Sequence, residues 1–445
     1  MMKVCKFGGT SMANAECIKR VRDIVLGDDA IKCVVVSAPG KRESGDTKVT
    51  DLLYACYDKV NGGENPDVAF KPIEDRFDSI ISDLKLDVDF SGRYREIKTA
   101  LRNGASRDYA ASRGEFLSAL VLAELIGWPC VDAKDFVCFD EKGNFLSEET
   151  DEKAKAVFKR VEKAVVPGFY GAAPDGSVKT FSRGGSDITG AIAARALYAD
   201  IYENWTDVDG FMKCDPRLVD NPEVMELITY KELRELSYMG ANVLHPDSIF
   251  PVRKNDIPIH IRNTFNPSAK GTMIVPSKKF FLGAYDRQDS TVIGIAGKKD
   301  FVAINIEKSM MNNELGFARK VLEIIEKNGL CIEHMPSGID TLSVIIDGSG
   351  HDGAVFDRIV EEIKSVCHPD TIDIDRNLAL IAVVGHGMSR KKGTATKVFN
   401  SLFKADINIR MIDQGSSELN IIIGVENNED YENAIKALYA EFLSE

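Results

Sequence analysis

The sequence predicts an α/β fold: a mainly parallel sheet sandwiched by helices, followed by two smaller α+β units. Three observations predict it. Short β-branched runs alternate with amphipathic helical stretches. Glycine-rich turns sit where strand passes into helix. The last third of the chain repeats itself at a fixed offset.

Residues 4–7 are strand-like, and residues 17–26 place Ile18, Val21, Ile24 and Val25 at helical spacing. Residues 32–37 (KCVVVS) form a continuous β-branched run, as expected of a strand buried on both faces, and Ala38-Pro39-Gly40 breaks it. Strand, helix and strand in that order read as a βαβ unit. Residues 62–112 are polar and helix-rich and predict a helical lobe. The α/β rhythm returns at Glu115 with a helix to Ile126, then strands near Cys130 and over 166–170. A glycine turn over 183–187, a helix to Tyr198, a strand over 201–205, a helix over 230–239 and a short strand over 258–261 follow. Residues 265–277 carry Pro267, Gly271 and Pro276 with little periodicity, which places the main domain boundary there or shortly after.

The repeat aligns GFARKVLEIIEKNGL, from Gly316, with GTATKVFNSLFKADI, from Gly393, an offset of 393 − 316 = 77. Lys320/Lys397, Val321/Val398, Ile332/Ile409, Gly338/Gly415 and Ile346/Ile423 match. Each copy reads as glycine, helix, strand, turn, strand, helix.

The totals bound the partners. The 445 residues supply material for roughly two to four domains. Lys plus Arg number 56 and Asp plus Glu 69, so the formal charge is 56 − 69 = −13. That balance argues against a nucleic-acid or anionic-membrane surface, which needs clustered cations. Nine scattered cysteines without a C-x-x-C pair fit reduced thiols in a cytoplasmic protein. No apolar run is long enough to span a membrane, and the start reads as strand and turn rather than signal peptide. No zinc pattern or other metal cage is visible.

Six stretches can carry chemistry. Lys6-Phe7-Gly8-Gly9-Thr10-Ser11 joins a strand to a helix. Its glycines let backbone approach a phosphate, and Lys6 adds a cation where phosphoryl transfer concentrates negative charge. A plain strand-to-helix turn would look the same, and the Walker A spacing is absent. Ser37 ends a buried strand, and Thr50 opens the next helix; donors at the carboxyl end of a sheet suit a ligand, or a simple capped loop. Glu115 follows Ser112-Arg113-Gly114 and is expected in a first helical turn, where it could answer the helix dipole or bind a substrate ammonium. In Ser182-Arg183-Gly184-Gly185-Ser186-Asp187, Ser186 is a candidate helix cap. Arg183 offers a fork for a carboxylate and Asp187 an anion for an ammonium, the pair a zwitterionic amino acid needs. Thr206 and Asp207, with Lys213 and Arg217 beyond Gly210, could meet ribose and phosphates. Gly240-Ala241-Asn242-Val243-Leu244-His245 is the sixth; His245 precedes a proline and reads as structural. Gly348 to Gly353 matches G-x-G-x-x-G, but Asp347 and Asp352 would repel a pyrophosphate.

KFGGTS, the G-E pair, RGGSD, TDVDG with DPR, and the duplicated end together resemble the aspartate kinases, over the whole length of the chain. The resemblance implies an amino-acid-kinase-type domain over 1–275 and a regulatory region over 290–445. That region would hold two ferredoxin-like ACT domains at about 300–370 and 378–445, with a strand at 290–298 a candidate to complete the second. It implies transfer of a phosphoryl group from ATP, with Mg²⁺, to the β-carboxylate of aspartate. The product is 4-phospho-aspartate, at the head of the route to lysine, threonine and methionine.

By the same resemblance Lys6, Arg183 and Asp187 are catalytic. Ser37, Thr50, Glu115, Arg183 and Ser186 bind aspartate. Lys6, Phe7, Gly8, Gly9, Thr206, Asp207, Lys213 and Arg217 bind ATP. Met310, Asn313, Gly316, Phe317 and Ser337 form an allosteric site for an inhibitory amino acid, lysine and/or threonine. ACT pairing implies a homodimer or homotetramer. Two departures stand out: Ser182 replaces a usual glycine, and Asn242 a usual basic residue. The rival readings are a kinase for another acidic amino acid and a catalytically impaired amino-acid sensor.

Overall fold

The computed structural model describes residues 1–182, 184–241, 251–281, 291–389, 391–415 and 417–443. They form two compact units. The first holds Met1–Phe211, Val224–Tyr230 and the described residues from Pro251 to Phe281. The second holds Met212–Glu223, the segment opening at Lys231, and the described residues from Thr291 onward.

In the first unit β1 (Lys3–Phe7) leads through α1 (Ala15–Leu26) to β2 (Ile31–Val36). The Asn14 side chain accepts from the Cys17 amide and caps α1, which is why the helix starts before its first apolar residue. The helical lobe expected over 62–112 is wider: it opens with α2 (Val49–Asn61), holds the one-turn α3 (Pro66–Ala69), α4 (Lys71–Leu84) and α5 (Ser91–Arg102), and ends in α6 (Arg107–Ile126), which takes in the helix expected from Glu115. Then come α7 (Ser147–Phe158), β3 (Ala164–Pro167), the hairpin β4 (Tyr170–Ala172) and β5 (Val178–Thr180), α8 (Gly185–Ala196) and β6 (Ile201–Thr206). Cys130 makes only an isolated bridge to Val165. The single strand expected over 166–170 is two, because Phe169 takes a left-handed φ of 81° and turns the chain. β7 (Leu227–Thr229), α9 (Tyr230–Tyr238), β8 (Ile259–Asn263), β9 (Thr272–Val275) and α10 (Ser277–Phe281) follow. β9 lies inside the stretch that lacks periodicity; a four-residue strand is too short to show one.

The sheet order is β3-β2-β1-β6-β8-β9-β7. Its pairs are parallel except β8 with β9. On one face, Phe7 and Trp205 stack with centroids 5.8 Å apart and join a core with α1, α2, α4 and α6. On the other, α8 packs on β1, β2 and β6.

Two turns at the carboxyl ends of β1 and β2 press together. The Gly40 amide donates to the Gly9 carbonyl at 2.8 Å, and a Cβ on Gly40 would lie 2.8 Å from Gly9 backbone atoms. Only glycine permits that approach.

The second unit is one antiparallel five-stranded sheet, ordered β11-β10-β12-β14-β13, covered by helices. Its elements are β10 (Gly294–Glu307), α11 (Phe317–Lys327), β11 (Thr341–Asp347), α12 (Gly353–Cys367), β12 (Thr371–Val384), α13 (Thr394–Lys404), β13 (Met411–Asp413), β14 (Asn420–Glu426) and α14 (Glu429–Phe442). β10 and β12 run through both repeats. Residues 294–298 pair with 380–384, whereas 301–307 pair with 371–378 on one side and 341–347 on the other. Each repeat has its own core. Val321 and Ile346 sit in one, and their counterparts Val398 and Ile423 in the other. The strand expected after α11 is reduced to a bridge between His334 and Ile345.

The glycine contact is testable. Gly40→Ala is expected to lower stability by about 1–3 kcal/mol in chemical denaturation, because backbone must move to admit the methyl. Gly45→Ala, with nothing within 4 Å of the added carbon, is expected to be neutral.

Candidate active site

The parallel register of β1 and β6 places Lys6 beside Asn204, both on the face covered by α8. The first turn of α8 carries Asp187. Lys6 Nζ lies 2.6 Å from Asp187 Oδ1, and Asn204 Nδ2 donates to the same oxygen at 3.0 Å. The Lys6 and Asp187 side chains are only 11% and 16% exposed. A carboxylate at a helix start is favoured by the helix dipole, and the lysine neutralises it in a poorly solvated place. Gly8 and Gly9 run past this pair; the Gly8 amide is taken by the Trp205 carbonyl at 3.0 Å, and a Cβ on Gly8 would meet Lys6 Nζ at 3.5 Å. Phe7 is a core residue.

Glu115 is not in a first helical turn, as the sequence suggested. α6 begins at Arg107, capped by Ser106, so Glu115 lies in its third turn and the dipole cannot explain it. The side chain is buried, and Oε2 has no hydrogen-bond partner. Burial pushes its carboxyl up to about 8, against the lowering effect of the Ala38 amide and of the charges on Arg113 and Lys6. An ionisable group left in this state marks a candidate functional site.

Ala38 lies just beyond β2, next to Ser37, whose amide donates to the Phe7 carbonyl at 3.1 Å. The loop beyond closes on α2, with the Val49 amide donating to the Pro39 carbonyl at 3.0 Å and Thr50 half-buried in the first turn.

Ser186 is not the cap of α8. Gly184 takes that place with a left-handed φ of 58°, and Ser186 is inside the helix, buried against Gly168. Arg183, Asn242 and His245 lie outside the described residues.

Lys6, Gly8, Gly9, Ser37, Glu115 and Asp187 thus gather around the carboxyl ends of β1 and β2, where open α/β sheets bind ligands. Thr206 and Asp207 follow β6 in the first unit, with the Thr206 hydroxyl donating to Asp207 at 3.1 Å. Lys213 and Arg217 belong to the second unit. Lys213 pairs with Glu223, and Arg217 grips Asp215 through two nitrogens, at 3.0 and 2.6 Å.

Sequence reading missed Asn204 and Phe169. Asn204 shows no motif; only the strand register reveals it. Phe169 donates its amide to Thr189 Oγ1 at 3.1 Å, and a Cβ on Gly185 would meet its ring at 2.7 Å, so its strained backbone shapes the start of α8.

In the second unit the loops 309–316 and 335–340 meet at one end of the sheet, tied by the Lys308 amide donating to the Asp340 carbonyl at 2.8 Å. Met310 is exposed with φ 59°, Asn313 closes a short turn with its amide on the Met310 carbonyl, and Gly316 caps α11 with φ 80°. Phe317 is a core residue, and Ser337 bridges Leu342. Glu314, between Lys308 and Lys320, has its carboxyl drawn down to about 2 by both ammonium groups.

Comparison with known proteins places this geometry. The model of the amino acid kinase family matches residues 1–263, and an ACT domain model matches residues 381–442. Aspartokinase 3 of Bacillus subtilis is 39% identical, over 100% of this chain and 99% of its own. A bifunctional aspartokinase/homoserine dehydrogenase of Arabidopsis thaliana is 32% identical, over 99% of this chain and 51% of its own. The crystal structure of Clostridium acetobutylicum aspartate kinase superposes with a TM-score of 0.91 at 48% identity, covering 99% of this chain and 100% of that one. Escherichia coli aspartokinase III, in complex with aspartate and ADP, gives a TM-score of 0.74 at 26% identity, with both chains fully covered. The chain therefore belongs to the amino acid kinase family, and within it to the aspartokinases.

Proposed function

We propose that this aspartate kinase transfers the γ-phosphoryl group of ATP to the β-carboxylate of aspartate, giving 4-phospho-aspartate and ADP. The observation that carries this reading is the buried Glu115 carboxyl, whose Oε2 has no hydrogen-bond partner, together with the Lys6–Asp187 pair. Glu115 takes the substrate ammonium. Arg183, by its place in the motif, takes a carboxylate, and Ser37 and Thr50 close the pocket. The acceptor carboxylate is ionised at neutral pH and needs no general base. The chain's task is positioning and charge: Lys6 leaves Asp187 for the transferring phosphoryl oxygens, and Asn204 keeps Asp187 in place. Gly8 and Gly9 leave room for the phosphates, with Thr206 and Asp207 as further nucleotide contacts.

Magnesium fits this donor set as a companion of the nucleotide. Among the described residues no three His, Cys, Asp or Glu side chains gather into a cage. Mg²⁺ keeps most of its shell as phosphate oxygens and water and asks for only one or two carboxylates, of which Asp187 is available. The ion supplies charge neutralisation on the phosphates.

The second unit is proposed to sense an end-product amino acid, lysine and/or threonine, around Met310, Asn313, Gly316, Phe317 and Ser337. A structure of Escherichia coli aspartokinase III in complex with lysine and aspartate supports this reading. The same end of the sheet exposes Met310, Leu315 and Ile339, 66%, 95% and 71% accessible, which suits pairing of ACT domains into a homodimer or homotetramer. All nine cysteines are free, and no helix among the described residues is long and apolar enough to cross a membrane. A cytoplasmic setting is proposed from the thiols.

Three outcomes are expected. Lys6→Ala should keep its circular dichroism but lose turnover by about 10²–10³-fold in a coupled ADP assay; near-parent activity would refute the role. The folded Glu115 carboxyl titrates at about 8, above its ordinary 4.5. Free enzyme therefore holds a proton that the unfolded chain has lost between those values, so stability falls as pH rises through that window. Aspartate binding near pH 7 should release that proton, read by calorimetry in buffers of different ionisation enthalpy, and Glu115→Gln should abolish the release. Finally, aspartate-dependent ATP turnover titrated separately with lysine, threonine and methionine should fall with at least one; no response to any would remove the sensing proposal.

A further inference from the structure

Arg76, on α4 in the helical lobe, is 4% exposed. Its hydrogen bonds among the described residues all go to one loop. Nη2 lies 2.7 Å from Asp46 Oδ2, 3.0 Å from the Thr47 carbonyl and 3.3 Å from the Gly40 carbonyl. Asp46 is held from the far side as well: Arg42 donates to it from its amide at 2.9 Å, from Nε at 2.8 Å and from Nη2 at 3.0 Å. The loop runs from Ser37 and Ala38, at the end of β2, to Thr50 on α2. Its other anchor is the 2.8 Å bond from the Gly40 amide to the Gly9 carbonyl in the turn that follows Lys6. Gly40 is therefore gripped by both its polar atoms, through its carbonyl by the helical lobe and through its amide by the phosphate turn.

A residue kept only for stability would not be built this way. Arg76 Nη1 is buried with no acceptor. An orphaned donor is costly, and a buried ion pair is often replaceable, as a pair, by apolar side chains at no loss of stability. What an apolar chain cannot do is reach three acceptors spread over a loop. The guanidinium can, because its Nη2 stands within reach of all three oxygens and shares its two hydrogens among them.

We propose that Arg76 is a positioning residue for the phosphoryl acceptor. It locks the 40–47 loop so that Ser37, the Ala38 amide on Glu115, and Thr50 stand in register with the phosphate turn. It touches neither substrate and acts through the loop. This inference rests on the reading of that loop as the aspartate-binding loop.

The test uses the full-length enzyme and steady-state kinetics with each substrate varied. Arg76→Met leaves Asp46 paired with Arg42. It should keep the KM for MgATP within experimental error. The KM for aspartate should rise on the order of tenfold, the loss expected when a positioning contact is relaxed. An unchanged aspartate KM overturns the proposal, and so does a parallel loss in both substrates with a lowered melting temperature, which is what a mere structural brace would produce. Should Arg76→Met fail to fold, Asp46→Asn weakens the same grip from the solvent side of the loop. It should raise the aspartate KM by about threefold, and no rise overturns the proposal. Thr50→Ala, run alongside, separates the two readings. If it leaves the aspartate KM unchanged, the aspartate-loop reading falls and takes the Arg76 role with it. If it raises that KM while Arg76→Met does not, the Arg76 role alone falls.

Discussion

One buried ion pair organises the catalytic unit. Lys6 and Asp187 come from the first strand and the eighth helix, and their charged atoms meet at 2.6 Å in a place largely closed to water. Separating two such charges without replacing either partner is costly. A phosphoryl group is a replacement that suits Lys6, and the Asn204 amide keeps a hydrogen bond on Asp187 when the lysine leaves. In the proposed function the pair is a resting arrangement that a phosphate opens. Parallel pairing of β1 with β6 is what makes it possible, because that register sets Lys6 and Asn204 side by side under the helix that carries Asp187.

Around this pair the unit uses close backbone contact rather than many side chains. Gly9 and Gly40 bring two turns together until no Cβ fits between them. α6 crowds Ala38 through Gly114, where an added carbon would meet the Ala38 methyl at 2.7 Å. Glu115 follows and is buried by the same approach. Its displaced ionisation is a consequence of packing: the helix that delivers the carboxylate also excludes the water that would stabilise its charge. In the proposed function the substrate ammonium offsets that penalty.

The second unit has its own logic. β10 and β12 each span both repeats, so two cores share one sheet instead of forming separate sheets joined by a linker. Between the cores the chain kinks at Asp300, whose left-handed φ of 66° accompanies a shift of register. His334 of the first repeat also reaches Asp413 of the second at 2.8 Å. A ligand that strains one repeat therefore acts on strands belonging equally to the other.

Local features were legible from residue order alone. The β-branched runs of β1 and β2, the turns Gly8-Gly9 and Gly184-Gly185, and the duplicated end could be read because periodicity and glycine placement are properties of short stretches. Lys6, Glu115 and Asp187 could be singled out because charged residues beside glycine turns are conspicuous. Their relations could not be read. Asn204 came to stand beside Lys6 only through a pairing of strands nearly two hundred positions apart. Glu115 moved from a helix start to mid-helix because Ser106, nine residues earlier, caps α6. Arg76 found the 40–47 loop because α4 folds back over it, and the strand through 294–298 found its partners in 380–384. Long-range register and burial arise from the summed packing of the whole chain, and no window of the sequence contains them.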